Sequence, residues 1–200
     1  MKLLDAHLQL SSLKQSFLNT SDAAACLKIS PAHASKILGR LAQTGLWIPL
    51  ARNRWAQAEQ TDPLLIPEFL TAPFPTYISL QTALYYHGMI SQIPSVIYAV
   101  SLARTHTYTT PLGTISIHHI SPDFFFGFDS FGKSQIKMAT PEKALLDIFY
   151  LSPTYTSLFK ALPELEIPPK FKTKDAWNMV KSIPSHRLKT IVSEKLKNVL

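Results

Sequence analysis

Four cations, Lys36, Arg40, Arg52 and Arg54, are the residues whose type and spacing most readily do chemistry in this chain. Arg and Lys form charge-assisted hydrogen bonds to phosphate oxygens and reach the O6 and N7 of guanine, so a placed set of them suits a nucleic acid. Bond-breaking chemistry has weaker candidates. His118 and His119 sit in the strand-like run TISIHHI, where neighbours face opposite sides and cannot easily share a metal ion. Glu142 is followed directly by Lys143, whereas a nuclease of the Asp…Glu-x-Lys type needs the lysine two residues on. Glu142 and Asp147 are five apart on one predicted helix, which separates their faces and argues against a paired acid and base. None of the six glycines completes a phosphate-cradling pattern. Cys26, the single cysteine, excludes an intrachain disulfide and a Cys-rich zinc site; in an alanine-rich helix with no base beside it, it reads as a core thiol. The expectation is a protein that is not an enzyme, with no catalytic residue, no metal site and no cofactor.

Charge and composition give the setting for the four cations. The chain has 200 residues, 46% hydrophobic and 16% charged, with 20 Lys and Arg against 13 Asp and Glu and a formal net charge of +7. That is enough apolar material for one substantial core or two modest ones. The charge is unevenly spread: residues 1–60 carry seven basic and three acidic side chains, residues 61–150 four and six, and residues 151–200 nine and four. The N-terminus lacks an uninterrupted apolar core for a signal peptide, and no apolar run approaches the roughly 20 residues that span a bilayer. A soluble cytoplasmic protein without a membrane partner is expected.

The elements that position the cations can be read from local punctuation. Leu3, Leu4, Leu8, Leu13 and Phe17 supply the apolar side of an opening helix. The segment SDAAACLKIS reads as a short alanine-rich helix capped by Thr20 or Ser21. Ser30-Pro31 is an N-cap followed by proline at the first helical position, opening a helix that runs to about Thr44, with Gly45 as its left-handed terminator. On it Ala34, Ile37, Leu38 and Leu41 form the apolar stripe, while Ala32, Lys36, Gly39, Arg40 and Gln43 point away and His33 lies on the flank. LWIPL and RNRWAQ follow as two strand-like runs joined by a tight turn that includes Arg52. Three helices and a hairpin in this order are those of a winged helix-turn-helix, with the third helix entering the major groove and the hairpin touching backbone or minor groove. A basic helix face can equally be merely solvated, and a winged helix can serve protein contacts.

Beyond this domain, Pro63, Pro67, Pro73 and Pro75 mark residues 61–76 as a proline-rich linker. Residues 77–150 read as α+β: a short helix from Ser79 as N-cap to Gly88 as stop, strand-like runs SVIYAVSLA, TISIHHI and FFFGF, and a helix opened by Thr140 and Pro141 with Glu142 at its positive end. The aromatic run Phe124-Phe125-Phe126, with Phe128 and Phe131, is either an exposed contact patch or core. Residues 151–200 read as a basic, mostly helical extension whose lysines either contact phosphate or form a solvated face.

The strings SLQTALYYHGMISQIP at 79–94, TPLG at 110–113 and ATPEKALLD at 139–147, behind a winged helix, resemble the AbiEi family of antitoxins over about residues 15–150. The resemblance implies a bacterial type IV toxin–antitoxin system of the AbiE kind, linked to phage defence. The winged helix would bind double-stranded DNA at inverted repeats upstream of its own operon. The second domain would neutralise a nucleotidyltransferase-type toxin without requiring a stable complex. The family's recognition helix and wing map onto residues 30–44 and 47–55, which makes Ser30, His33, Lys36, Arg40, Arg52 and Arg54 the expected DNA-binding residues. Ser79, Gly88, Pro94, Gly113, Pro141 and Asp147 of the motifs look architectural.

The expectation is thus an α+β chain with an N-terminal winged helix-turn-helix (1–60), a linker (61–76), a mixed α+β antitoxin domain (77–150) and a helical basic tail (151–200). It would act as an antitoxin and sequence-specific transcriptional autorepressor. The alternative is an interaction protein that does not touch DNA and blocks a toxin or partner directly through its middle domain.

Overall fold

A computed structural model describes residues 2–132, 136–154 and 164–200. The chain is mixed α+β and divides into two units, Met1–Leu70 with Tyr108–Thr114, and Thr71–Thr107 with Ile115–Leu200.

The first unit begins with α1 (Leu3–Ser11), β1 (Phe17–Asn19), α2 (Thr20–Leu27) and α3 (Pro31–Gln43), and continues into the hairpin β2 (Trp47–Ala51) and β3 (Arg54–Gln57). Its core is one cluster drawn from all three helices and the start of the hairpin: Ala6, Leu10, Leu18, Ala23, Ala24, Leu27, Ala34, Ile37, Leu38, Leu41 and Trp47. Small alanines on α2 let it lie close against α3, and Cys26 packs half-buried beside them with its thiol directed at the Gln9 carbonyl. The opening helix is shorter than its leucine pattern predicts. It stops at Ser11, Lys14 turns left-handed at φ 52°, and Phe17 enters a strand instead of extending the helix. That strand pairs with β3 (Phe17↔Ala56, Leu18↔Trp55, Asn19↔Arg54), making a three-stranded sheet of order β1-β3-β2. Pro49 lies on β2, the edge strand, where the missing N–H leaves no ladder bond unmade.

Residues 61–76 are more ordered than a linker. They hold a 3-10 turn at Pro63–Leu65, the helix α4 (Ile66–Thr71) and the start of β4 (Thr76–Ile78).

The second unit, which excludes Tyr108–Thr114 at the β6–β7 turn, takes its frame from a six-stranded sheet of order β6-β7-β5-β4-β9-β8, with β5 Val96–Ser101, β6 His106–Thr110, β7 Gly113–His119, β8 Phe128–Phe131 and β9 Ile136–Ala139. β4 runs antiparallel to β5 and parallel to β9. Among the described residues its helices are α5 (Leu80–Tyr86), α6 (Pro141–Leu151), α7 (Thr173–Lys181) and α8 (His186–Val199). α6 is packed against α5, α7 and α8, and residues 142–149 of it are buried on every side. The basic tail is therefore folded into this unit through α7 and α8, whose Ala176, Val180, Val192 and Leu196 are buried. The part of the expected tail at residues 155–163 lies outside the described residues.

Candidate nucleic-acid interface

α3 presents the cations because its ends are fixed by the sequence. Ser30 adopts an extended backbone and its Oγ accepts from the His33 N–H at 3.4 Å, with Pro31 in the first turn. Past Thr44, Gly45 at φ +76° ends the helix, a conformation that glycine adopts without a Cβ penalty. Between these stops Ala34, Ile37, Leu38 and Leu41 are buried. Ala32, His33, Ser35, Lys36, Arg40 and Gln43 are exposed, and Gly39 is half-buried. His33, Lys36 and Arg40 stand at i, i+3 and i+7, which places them on one stripe of the outer surface. Among the described residues, the side chains of Lys36, Arg40 and Arg52 make no ion pair or hydrogen bond.

The hairpin beside α3 is anchored by its two tryptophans. Trp47 is buried and its indole N–H donates to His7 Nδ1 of α1 at 3.3 Å, while Trp55 donates to Thr20 Oγ1 of α2 at 2.9 Å. At the turn Arg52 is exposed and Asn53 is left-handed at φ 62°, with the Asn53 carbonyl accepting from the Thr20 N–H at 3.0 Å. The turn thereby closes an open hollow of about 340 Å³ lined by Asn19, Thr20, Ser21, Pro31, Ala32, Ser35 and Asn53. Its walls are small, uncharged residues at the N-terminal ends of α2 and α3.

Arg54 departs from the expected set. It is half-buried, its guanidinium donates to the Leu70 carbonyl, and it lies 5.9 Å from the Phe69 ring centroid. Phe69 in turn stacks on Phe17 at 5.0 Å. β3 is the central strand of its sheet, and this side chain is held in packing contacts of its own unit. Ser30 acts in the structure as a helix cap.

The second unit contains a cluster of charged groups that sequence reasoning missed. Lys143 and Asp147 are paired on α6 with 0% exposure of either side chain. Asp147 Oδ2 also accepts from Ser79 Oγ at 2.7 Å and Tyr77 Oη at 3.0 Å. The Lys143 ammonium lies 3.8 Å from the Phe124 ring centroid, 5.4 Å from Phe126 and 5.6 Å from Tyr77, so aromatic faces supply part of the attraction that water would otherwise give. Burial pulls the Lys143 pKa down against the opposing attraction of Asp147, and burial pushes the Asp147 carboxyl up against its three donors. Tyr77 is raised well above its ordinary value, by burial and then by the Asp147 charge. Sealed from solvent, this cluster joins β4, α6 and the aromatic segment. It also accounts for two sequence expectations: Ser79 stands at the N-cap position of α5 but its hydroxyl goes to Asp147 instead of capping, and Phe124 is core, with its neighbours half-buried.

The remaining histidines and carboxylates do not converge. His118 is buried and its Nε2 lies 3.0 Å from Ser116 Oγ, whereas His119 is exposed with Nδ1 3.1 Å from the Ala103 carbonyl oxygen. Among the described residues no group of three His, Cys, Asp or Glu could hold a metal ion, and no helix is long and apolar enough to cross a membrane. No protein-family model and no curated protein matches the chain.

Proposed function

We propose that the first unit is a winged helix-turn-helix that reads duplex DNA with α3, and that the chain is the autorepressor and antitoxin of an AbiE-like pair. The observation that carries the DNA reading is the exposed stripe His33, Lys36 and Arg40 on a helix whose opposite face is buried, beside a hairpin turn bearing Arg52. Thirteen residues at about 1.5 Å each give a rod of roughly 20 Å, a length that lies within the major groove. Ala32, Ser35 and Gly39 keep the outer face low, so the backbone can approach base edges while Lys36 and Arg40 reach guanine or phosphate. Arg52 is placed to meet backbone or minor groove.

A protein-binding helix face would carry apolar anchors. The exposed large hydrophobic residues of the described chain include none on α2, α3 or the hairpin, which favours a polyanion over a protein on this face. The antitoxin half of the proposal rests on the resemblance of the 79–94, 110–113 and 139–147 strings to the AbiEi family. It names inverted repeats upstream of the operon as the DNA partner and a nucleotidyltransferase-type toxin as the functional one. Fluorescence anisotropy on that upstream DNA tests the first half: preference over unrelated duplex with a steep loss in salt is expected. Co-expression with the product of the adjacent reading frame tests the second: rescue of growth is expected, and no rescue would exclude the antitoxin role.

A further inference from the structure

The cations of α7 and α8 are left unused by α3's reading of DNA. We infer that the corner between α7 and α8 is a second surface for the phosphodiester backbone of duplex DNA, indifferent to base sequence; this inference rests on the DNA-binding reading above.

Its residues are held in fixed places. α7 and α8 are seated on α6 by buried Ala176, Val180, Ile183, Val192 and Leu196. Lys189 Nζ donates to the Lys181 carbonyl at 2.9 Å, which brings the first turn of α8 against the last turn of α7. Lys181, His186 and Arg187 are exposed around this contact. From residue 176 to residue 193 the chain has no Asp or Glu, so nothing on these turns neutralises them. Lys195, by contrast, is half-buried and donates to Ser152 Oγ at 2.6 Å, and Lys172 lies 4.0 Å from Asp175. Lys195 is thus committed within the unit, whereas the Lys181 ammonium donates along the surface to the exposed Asn178 Oδ1 at 3.3 Å and keeps its access to solvent.

The chemistry around the cations selects the class of partner. Ser182, Ser185 and Thr190 are exposed beside them, and no large hydrophobic residue of α7 or α8 is exposed. Protein partners take hold through buried aromatic and aliphatic anchors, which this surface lacks. Phosphate oxygens take hold through Lys, Arg and hydroxyl donors, which it has. Ammonium groups and hydroxyls gathered where two helices meet suit phosphate oxygens, contacts that position a duplex and carry no sequence information.

The test uses the full chain and two duplexes, the upstream DNA and one of unrelated sequence, titrated over a range of salt. Lys181→Gln/Arg187→Gln is expected to lower the salt slope by about 2 on both duplexes and to weaken binding several-fold on each, leaving the preference between them intact. The charge reversal Lys181→Glu/Arg187→Glu should deepen both effects. Both side chains are exposed, so unchanged thermal melting is the folding control. An unchanged slope in both variants overturns the inference, as does competition by polyglutamate as effective as that by duplex. Lys36→Gln/Arg40→Gln keeps the two readings apart. If it abolishes preference while the corner variants keep the slope, the α3 reading stands and the corner falls; the opposite pattern upholds the corner and rejects α3. Absence of duplex binding by the unaltered chain rejects both.

Discussion

Lys143 and Asp147 face each other one turn apart on α6, and neither side chain reaches solvent. Two charges so placed cost several kcal/mol each to dehydrate, and that cost is offset only while every lone pair and proton has a partner. Here Tyr77, Ser79 and the rings of Phe124 and Phe126 supply the remaining partners. The pair is thus a clasp between β4, α6 and the aromatic segment, and removing either half alone strands the other.

Lys143→Ala is expected to destabilise the chain by about 3–5 kcal/mol, because it leaves the Asp147 carboxylate buried without its cation. The double replacement Lys143→Met/Asp147→Leu should cost less than the sum of the two single changes, since neither charge then remains. Urea unfolding of Lys143→Met, Asp147→Leu and the double variant measures this; strict additivity would show that the two groups do not depend on each other.

Gly127 supports the same clasp from outside. It sits at φ +76°, and a Cβ placed there would lie 3.1 Å from Lys143 Cγ and 3.2 Å from its Cβ and Cδ. Gly127→Ala should therefore destabilise by about 1–2 kcal/mol from the left-handed backbone alone, with a further cost from displacing Lys143. A thermal melt equal to that of the unaltered chain would contradict this.

Gly39 gives the opposite sign on stability. It lies inside α3 with nothing within 4 Å of a built Cβ, so Gly39→Ala should stabilise the unit by about 0.5–1 kcal/mol through helix propensity. On the proposed DNA face the same methyl group holds the helix away from the groove, so affinity should fall while stability rises. A variant that is both more stable and equally tight on DNA would remove Gly39 from the interface.

Acid should weaken the second unit through His118. Burial lowers its pKa below the ordinary 6.5, so the unfolded chain takes up a proton at this site before the folded one does. The stabilisation it brings is complete above about pH 6.5 and is lost as pH falls through the lowered folded value. Urea midpoints should fall from about pH 7.5 to about pH 5.5, and His118→Gln should flatten that fall. An identical slope in the variant would assign the acid sensitivity elsewhere.

The parts of this fold that can be read from the chain are those decided within a few residues. Ser30-Pro31 and Gly45 bound α3 on local capping and left-handed backbone alone, and the buried Ala34, Ile37, Leu38 and Leu41 follow from helical period. β1 was hidden because its three residues are strand only by pairing with β3 nearly forty positions on, while Phe17 fits the leucine spacing of a helix. The surroundings of Arg54 are hidden for the same reason: nothing near it in sequence announces that Phe69 and Leu70 will receive its guanidinium. The Lys143–Asp147 pair left a usable signal, an i,i+4 lysine and aspartate inside the otherwise apolar KALLDIFYL stretch of the helix. Glu142 stands apart from that pair: it accepts the Lys172 N–H at 2.6 Å and ties α6 to the start of α7.

The proposal that α3 reads DNA meets its most direct test in the binding of the unaltered chain and of Lys36→Ala/Arg40→Ala to the DNA upstream of the gene and to an unrelated duplex. Both side chains are exposed on α3, so the variant keeps its fold. Preference for the upstream DNA in the unaltered chain, lost in the variant with the two duplexes then bound alike, is the predicted result. Equal binding of both duplexes by the unaltered chain, or full preference retained by the variant, would contradict it.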